Sequence, residues 1–230
     1  MSEFEDKVPG KIILEGVAGS ISHGLATESS DVDILGVYVA PIEEVMGLKG
    51  PKVVANSVVT NDPDATFHEV GKFCNLALKG NPSILEQLWM ESSYMHLTGA
   101  MLKARRRSFL GQVAIRNSYL GYAKQQFERI GRVESKRVKL ARHAIRLSIQ
   151  GKELLETKEL PLNLQDRRET IFYYAKLADT NFDEFSVYAK NLMYQLETQK
   201  SSIPEYPEIE YINGTVIQIR KFELQTKKEN

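Results

Sequence analysis

The chain has 230 residues, enough for one large domain or two small ones with a buried core, and 42% of them are hydrophobic, as in ordinary globular proteins. Its single cysteine, Cys74, excludes a disulfide framework and a cysteine-rich zinc site. No apolar run approaches the ~20 residues of a membrane span, and the acidic N-terminus lacks the apolar core of a signal peptide. We therefore expect a cytoplasmic protein with no membrane partner.

The formal net charge of +0 hides an uneven distribution of charges along the chain. Residues 1–70 hold 4 Lys and Arg against 12 Asp and Glu, whereas residues 103–168 hold 17 against 6. An acidic front half can collect divalent cations, and a basic middle can collect phosphates. The alternative interpretation is that the basic helices only have solvated faces.

The first part of the chain is predicted to contain both strands and helices. Residues 11–18 are apolar and rich in β-branched side chains, which predicts a buried strand closed by Gly19-Ser20. Residues 31–40 predict a second strand with apolar residues on both faces, so it is covered on both sides. Residues 52–60 can supply another strand. Residues 64–70 are either a core strand or the lead-in to a helix that ends near Gly80.

The chain from Pro82 onward is predicted to be almost entirely helical. Apolar spacing places further helices at about 98–108, 113–131, 134–151, 166–177 and 182–200. Near the C-terminus, Asn213-Gly214 stands between two apolar runs, a pattern typical of a β-hairpin with a type I′ turn. The sequence therefore predicts an α/β unit, a boundary near 80–98, and a helical unit that ends in a hairpin.

Two aspartates in the second predicted strand are the main candidates for chemistry. Asp31 and Asp33 are two residues apart, so on an extended strand they project to the same face with Cα atoms ~6.5–7 Å apart. Carboxylates this close repel each other without a cation, and Mg²⁺ prefers carboxylate and phosphate oxygens. The pair therefore indicates a site for magnesium and for phosphoryl or nucleotidyl transfer. A solvated strand end is the alternative for an isolated Asp-x-Asp.

Gly19 and Ser20 supply a second feature of the same site. A glycine directly after a strand allows an anion to approach the backbone closely, and the serine hydroxyl can donate a hydrogen bond to a phosphate oxygen. A Gly-Ser pair alone has little specificity. The order strand, Gly-Ser, short loop, Ser-Asp-x-Asp, strand is far more specific.

The segment GSISHGLATESSDVDILGVYVAP resembles the active-site block of the DNA polymerase β-type nucleotidyltransferases, and within them the predicted branch associated with RNA repair. The resemblance continues through GKFCNLALKGNPSILEQLW and loosely through KLARHAIRL, over residues 11–150. It implies an α+β fold, with a small mixed β-sheet and packed helices. Residues 1–97 would form the catalytic core, and residues 98–230 a mainly helical substrate-binding domain with the C-terminal hairpin. His23 departs from the family pattern, which frequently has Tyr there.

The same resemblance implies a site that binds a nucleoside triphosphate with two Mg²⁺ ions, for which Mn²⁺ can substitute. Asp31 and Asp33 would hold the metals, and a third carboxylate on a neighbouring strand would complete the catalytic metal. Asp64 matches that position best, with Asp62 and Glu69 as rivals. Gly19, Ser20 and Ser30 would contact the nucleotide phosphates.

A polar stripe on the predicted helix 134–151 is a further candidate for nucleotide binding. Lys139, His143 and Arg146 recur on one helical face with Gln150, apart from an apolar stripe that packs the helix down. Cations facing a cleft can neutralise the charge that builds up on leaving pyrophosphate. A solvated helix face is the competing interpretation.

The sequence thus predicts transfer of a nucleoside monophosphate from a nucleoside triphosphate to a hydroxyl, with release of pyrophosphate. The basic middle favours an RNA end as the acceptor. One alternative is a protein adenylyltransferase of the antitoxin-like kind, with a protein hydroxyl as acceptor. Another is a catalytically inactive nucleotide-binding module.

Overall fold

The computed structural model describes residues 2–229, which form an α+β fold on one five-stranded mixed sheet. The strands are β1 Lys11–Val17, β2 Ile34–Val39, β3 Ser57–Asn61, β4 Asp64–Glu69 and β5 Tyr94–Met95. They lie in the order β3-β4-β2-β1-β5, with β2 parallel to β4 and all other pairs antiparallel. The predicted fold class, a mixed sheet with packed helices, is confirmed.

Both faces of the sheet are buried, as the sequence of the second strand predicts. Val37 belongs to the main hydrophobic core, which the helices of the protein share. Tyr38 points to the opposite face and packs in a smaller core with Phe4 and Phe67, whose ring centroids lie 5.2 Å apart. The N-terminal segment therefore covers this second face together with Val45 and Val53, which lie in the two short helices after β2.

Eleven α-helices occur in the described residues. They are α1 Gly19–Ser22, α2 Ile42–Met46, α3 Gly50–Val54, α4 Val70–Leu78, α5 Pro82–Trp89, α6 Leu97–Ala104, α7 Gln112–Ile130, α8 Arg137–Thr157, α9 Arg168–Thr180, α10 Phe182–Thr198 and α11 Ile209–Glu229. Helices α7, α9 and α10 pack around α8. Within residues 2–229, none of the helices is both long and apolar enough to cross a membrane.

The predicted C-terminal hairpin is wrong, because Asn213-Gly214 lies inside helix α11. The helix packs against α4 and α6 and buries Ile212 and Ile219, which are seven residues apart. Seven residues are two helical turns, so both side chains fall on one face. Burial of that face outweighs the local turn preference of Asn-Gly and the low helix propensity of glycine. Gly214 itself lies on the open side of the helix, where a Cβ would meet no atom within 4 Å.

Two other boundaries differ from the predicted ones. Strand β2 begins at Ile34, so Asp31 and Asp33 lie in the segment that leads into it. The predicted strand 52–60 divides into α3 and β3. The domain boundary at residue 97 stays a prediction, and α11 returns from the C-terminal part of the chain to pack on helices of the N-terminal part.

Candidate active site

A cavity of about 680 Å³ opens between the sheet and helix α8. Its size is within the range of small-molecule sites in proteins. Of the residues predicted from the sequence, nine line this cavity: Gly19, Ser20, Ser30, Asp31, Asp33, Asp64, Lys139, His143 and Arg146. The fold therefore brings together segments that are more than one hundred residues apart in the chain.

Asp33 and Asp64 come side by side because two parallel strands begin at the same level. Ile34 of β2 pairs with Ala65 of β4, so the residues immediately before them occupy neighbouring positions at the strand entrances. Partial burial raises the pKa of Asp33, and the negative charges of Asp64 and then Asp31 raise it further. Three carboxylates therefore act on one another at this edge of the sheet.

The two predicted aspartates reach the cavity although neither lies within the strand. Asp31 and Asp33 both line it, whereas Val32 between them is 51% exposed. The backbone N–H of Ala18 donates to the carbonyl of Asp33 at 2.8 Å, which extends the pairing of β1 and β2 by one step. The alternation of side chains between two sides, which the sequence predicts for a strand, thus also holds in the segment that precedes β2.

Gly19 fits this site for two structural reasons. Its φ is +69°, a left-handed conformation that glycine adopts without strain. A Cβ on Gly19 would lie 2.5 Å from Oδ2 of Asp33, so a larger residue would displace that carboxylate. Ser20 follows it on the cavity wall, and in the described chain its hydroxyl makes no hydrogen bond.

Helices α8 and α9 and the segment between them hold the loop that follows α1. The Arg168 guanidinium donates to the carbonyls of Gly24 at 2.9 Å and Ala26 at 2.7 Å. Further along, the Ser30 hydroxyl accepts a hydrogen bond of 2.8 Å from the backbone N–H of Thr27. Ser30 therefore fixes the loop as well as lining the cavity.

The opposite wall is basic and comes from one helix. Lys139, Arg142, His143 and Arg146 lie in the N-terminal half of α8 and line the cavity, and the sequence interpretation missed Arg142. Burial lowers the pKa of His143 to about 3, and the nearby charge of Arg146 contributes to the shift. His143 is therefore neutral at physiological pH, and Lys139 is the exposed cation of this wall.

A buried carboxylate, Glu86 of α5, organises this wall, and the sequence interpretation did not foresee it. Glu86 is 4% exposed and forms an ion pair with Arg146, which also donates to Oε1 of Gln150 at 2.8 Å. Burial raises the pKa of Glu86, but the charge of Arg146 and the hydrogen bonds from His23 and Arg146 outweigh it and lower the pKa to about 2.

His23 joins the same network from the loop after α1. Its Nε2 lies 3.3 Å from Oε2 of Glu86, and its Nδ1 lies 3.3 Å from the carbonyl of Leu162. Both ring nitrogens therefore face acceptors, one on the Glu86 side chain and one on the backbone of Leu162. His23 is 3% exposed, so this departure from the family pattern connects the loop to Glu86.

The rivals of Asp64 lie outside the cavity. Asp62 is in the turn between β3 and β4, and its carbonyl accepts from Nζ of Lys7 at 3.3 Å. Glu69 is fully buried, accepts from the backbone N–H of Gly71 at the start of α4 and pairs with Arg220 at 2.8 Å. Of the three candidates, only Asp64 lines the cavity.

The carboxylate oxygens of the cavity suit magnesium better than a metal ion that is held entirely by protein side chains. Within residues 2–229, no group of three or more His, Cys, Asp or Glu side chains is arranged to hold a metal ion. Mg²⁺ usually takes only one or two protein carboxylates and fills its other positions with substrate phosphates and water. The side chains of Asp31, Asp33 and Asp64 fit that requirement, since none of their carboxylates makes a hydrogen bond or ion pair in the described chain.

The comparison with known families agrees with this geometry. The family model of RlaP, described as the RNA repair pathway DNA polymerase beta family, matches residues 1–185. The chain belongs to this family. The RlaP match includes both walls of the cavity and ends within α10, before α11. No curated protein matches the sequence. Membership of RlaP supports a nucleotidyltransferase role in RNA repair.

Proposed function

We propose that the protein transfers a nucleoside monophosphate from a nucleoside triphosphate to a hydroxyl group at an RNA end. The observation that carries the proposal is the parallel register that sets Asp33 beside Asp64, facing the Gly19 bend and the basic wall across one cavity. The family supports nucleotidyl transfer and RNA repair as the context.

Asp31, Asp33 and Asp64 would hold Mg²⁺, as one ion or as a pair, with Mn²⁺ as a substitute. Their hard oxygen donors and mutual repulsion both favour a divalent cation between them. Bound metal would stabilise the attacking and leaving oxygens of an in-line displacement. Asp64 would also accept the proton of the attacking hydroxyl.

The segment around Gly19 and the basic wall would together hold the triphosphate in line with the attacking hydroxyl. The Gly19 backbone and the Ser20 hydroxyl would bind β- and γ-phosphate oxygens, and Ser30 would keep their loop in place. Lys139 and Arg146 would offset the charge that develops on pyrophosphate, while neutral His143 would donate or accept a hydrogen bond.

The bond changes in the proposed reaction balance without a further reactant. The acceptor oxygen forms a bond to the α-phosphorus, and the bond from that phosphorus to the oxygen bridging the α- and β-phosphates breaks. Pyrophosphate leaves with the electron pair, and the proton of the acceptor hydroxyl passes to Asp64 and then to solvent.

The proposal is tested by incubating the full chain with each labelled triphosphate, Mg²⁺ or Mn²⁺, and pooled RNA. We expect the label to appear in RNA together with stoichiometric pyrophosphate. Label on a co-purified protein would identify a protein acceptor instead. Nucleotide binding without pyrophosphate release under all these conditions would overturn the proposal and indicate a binding module.

A further inference from the structure

The turn between α7 and α8 carries a group of cations that we call the basic turn, consisting of Arg129, Arg132 and Lys136. All three side chains are exposed, and none forms a hydrogen bond or ion pair with another residue in the described chain. Two acidic side chains are near in sequence. Glu134 is 90% exposed and lies 3.7 Å from Arg137, and Glu128 is exposed on the last turns of α7.

Elsewhere in the middle of the chain, arginines are used within the fold. Arg105 donates to the hydroxyl of Tyr211 at 3.0 Å, Arg107 donates from Nε to Glu159 at 2.7 Å, and Arg116 donates to three carbonyls at the end of α10 and just after it. Several cations of residues 103–168 thus make contacts within the fold. The basic turn is different because none of its three side chains makes such a contact.

The position of these cations does not favour the stability of helix α8. Lys136 is its N-cap residue, the cap has no side-chain hydrogen bond, and the first turn contains no acidic residue. Cations near a helix N-terminus lower the stability of the helix, since the helix dipole is positive there. Arg129, in the last turn of α7, has the favourable placement. Stability therefore does not explain why Lys136 stands where it does.

The basic turn continues into the cavity through Lys139. Lys139 follows Lys136 by three residues, so it lies about one helical turn further along α8, and it lines the cavity. A cavity of about 680 Å³ accommodates a nucleotide but not a polymer. A polymeric acceptor must therefore extend beyond the cavity, and Lys139 is the cavity-lining residue that lies nearest to the basic turn along the chain.

We infer that the basic turn binds the phosphodiester backbone of the acceptor RNA strand as the strand leaves the active-site cavity. This inference rests on the proposed function, because it assigns the surface that holds the acceptor. Flexible Lys and Arg side chains on an exposed turn neutralise phosphates without reading sequence. Binding is therefore expected to be independent of sequence and strongly dependent on salt.

The test measures binding of a fluorescent single-stranded RNA to the full chain by anisotropy at several salt concentrations. The test variant combines Arg129→Gln, Arg132→Gln and Lys136→Gln. The matched control combines Lys49→Gln, Lys52→Gln and Lys176→Gln, three exposed cations that do not line the cavity. A third protein, with Arg129→Lys, Arg132→Lys and Lys136→Arg, preserves the charge.

We expect the test variant to lose RNA affinity by about tenfold or more at moderate salt, and the slope of log K against log salt to fall by about 0.7 for each lost contact. The lysine control, which combines Lys49→Gln, Lys52→Gln and Lys176→Gln, and the charge-preserving protein should bind RNA like the wild type. Affinity for ATP with Ca²⁺, measured by calorimetry, should be the same in all four proteins. Thermal denaturation verifies that each is folded.

Equal RNA affinity in the test variant and the lysine control would overturn the inference, as would a wild type that binds no RNA. These outcomes differ from failure of the proposed function. RNA binding that depends on the basic turn, without nucleotidyl transfer, would leave the basic turn as an RNA site and overturn the proposed reaction. Transfer to a protein with no RNA binding would overturn the inference and leave the transfer chemistry intact.

Discussion

The acidic and basic walls of the cavity are built in opposite ways. Asp31, Asp33 and Asp64 lie at strand entrances, where no cation in residues 2–229 forms an ion pair with them. On the other wall, Arg146 is already paired with the buried Glu86, and Lys139 alone among the predicted cations is exposed. The basic wall is thus assembled within the fold, whereas the carboxylates of the acidic wall have no ion-pair partner in residues 2–229.

This difference separates stability from function in the two walls. Carboxylates that repel one another contribute nothing favourable to folding, so their removal should affect chemistry alone. Removing one partner of a buried ion pair leaves an uncompensated charge in the interior, so it should affect the fold first. The predictions that follow test this contrast.

The largest effect is expected from Asp33→Asn and Asp64→Asn. Each should reduce nucleotidyl transfer by about 10²–10³-fold or more, because the charge that stabilises the reacting centre is lost. The urea midpoint should stay the same or rise slightly, since repulsion between carboxylates is relieved. The control is Asp62→Asn in the adjoining turn, which should retain full activity. Equal losses in Asp62→Asn and Asp64→Asn would show that the register argument selects the wrong carboxylate.

Glu86→Gln tests the basic wall. The variant leaves Arg146 buried without its counter-charge and should lower the free energy of unfolding by about 3–5 kcal/mol at pH 7. Exposed Glu156 of α8 provides the matched Glu→Gln control and should change little. The measurement is urea denaturation, with activity recorded only under conditions where both proteins are folded.

The pH dependence of the Glu86 variant has a defined sign. The pKa of Glu86 is lowered from 4.5 to about 2 in the folded protein. Its ionised form therefore stabilises the fold fully above pH 4.5, and this contribution is lost as the pH falls toward 2. The stability difference between wild type and Glu86→Gln should narrow below pH 4.5. A difference that widens on acidification would contradict the assignment of an ionised, paired Glu86.

Gly19→Ala examines the bend behind the acidic wall. A left-handed conformation costs a residue with a Cβ about 1–2 kcal/mol, and the new Cβ would displace the Asp33 carboxylate. We expect a loss of both stability and transfer activity. Gly121→Ala in α7 is the control, because a Cβ there meets nothing within 4 Å and should stabilise the helix by about 0.5–1 kcal/mol. Unchanged transfer activity in Gly19→Ala would show that the backbone conformation at Gly19 does not determine the geometry of the metal site.

The smallest effect is expected from Lys139→Met. An exposed cation contributes about 0.5–1 kcal/mol, so the KM for the triphosphate should rise about two- to fivefold at low salt. The difference should diminish as salt rises and screens the charge. The same substitution at Lys176 of α9, exposed and outside the cavity, should leave the KM unchanged. A fold change that persists at high salt would indicate a direct, desolvated contact.

The acidic wall could be predicted from the sequence because its determinants are local. The spacing of Asp31 and Asp33 gives their common side, and Gly19-Ser20 follows the preceding strand directly. The family resemblance already favours Asp64 over Asp62 and Glu69, but its position beside Asp33 comes from the parallel register of β2 and β4, which no local pattern contains. Glu86 had a signal that was not used, since it is the only charged residue between Lys79 and Glu91 in a helix with apolar spacing.

The sequence alone determined the α+β class, the long helices and the segment that carries the aspartates, since hydrophobic periodicity and turn chemistry act over a few residues. Tertiary structure decided which distant groups meet. It turned Asn213-Gly214 into part of α11 by burying Ile212 and Ile219, and it placed α8 opposite the strand entrances with Glu86 beneath it. Such contacts depend on packing between elements far apart in the chain, and local patterns do not encode that packing.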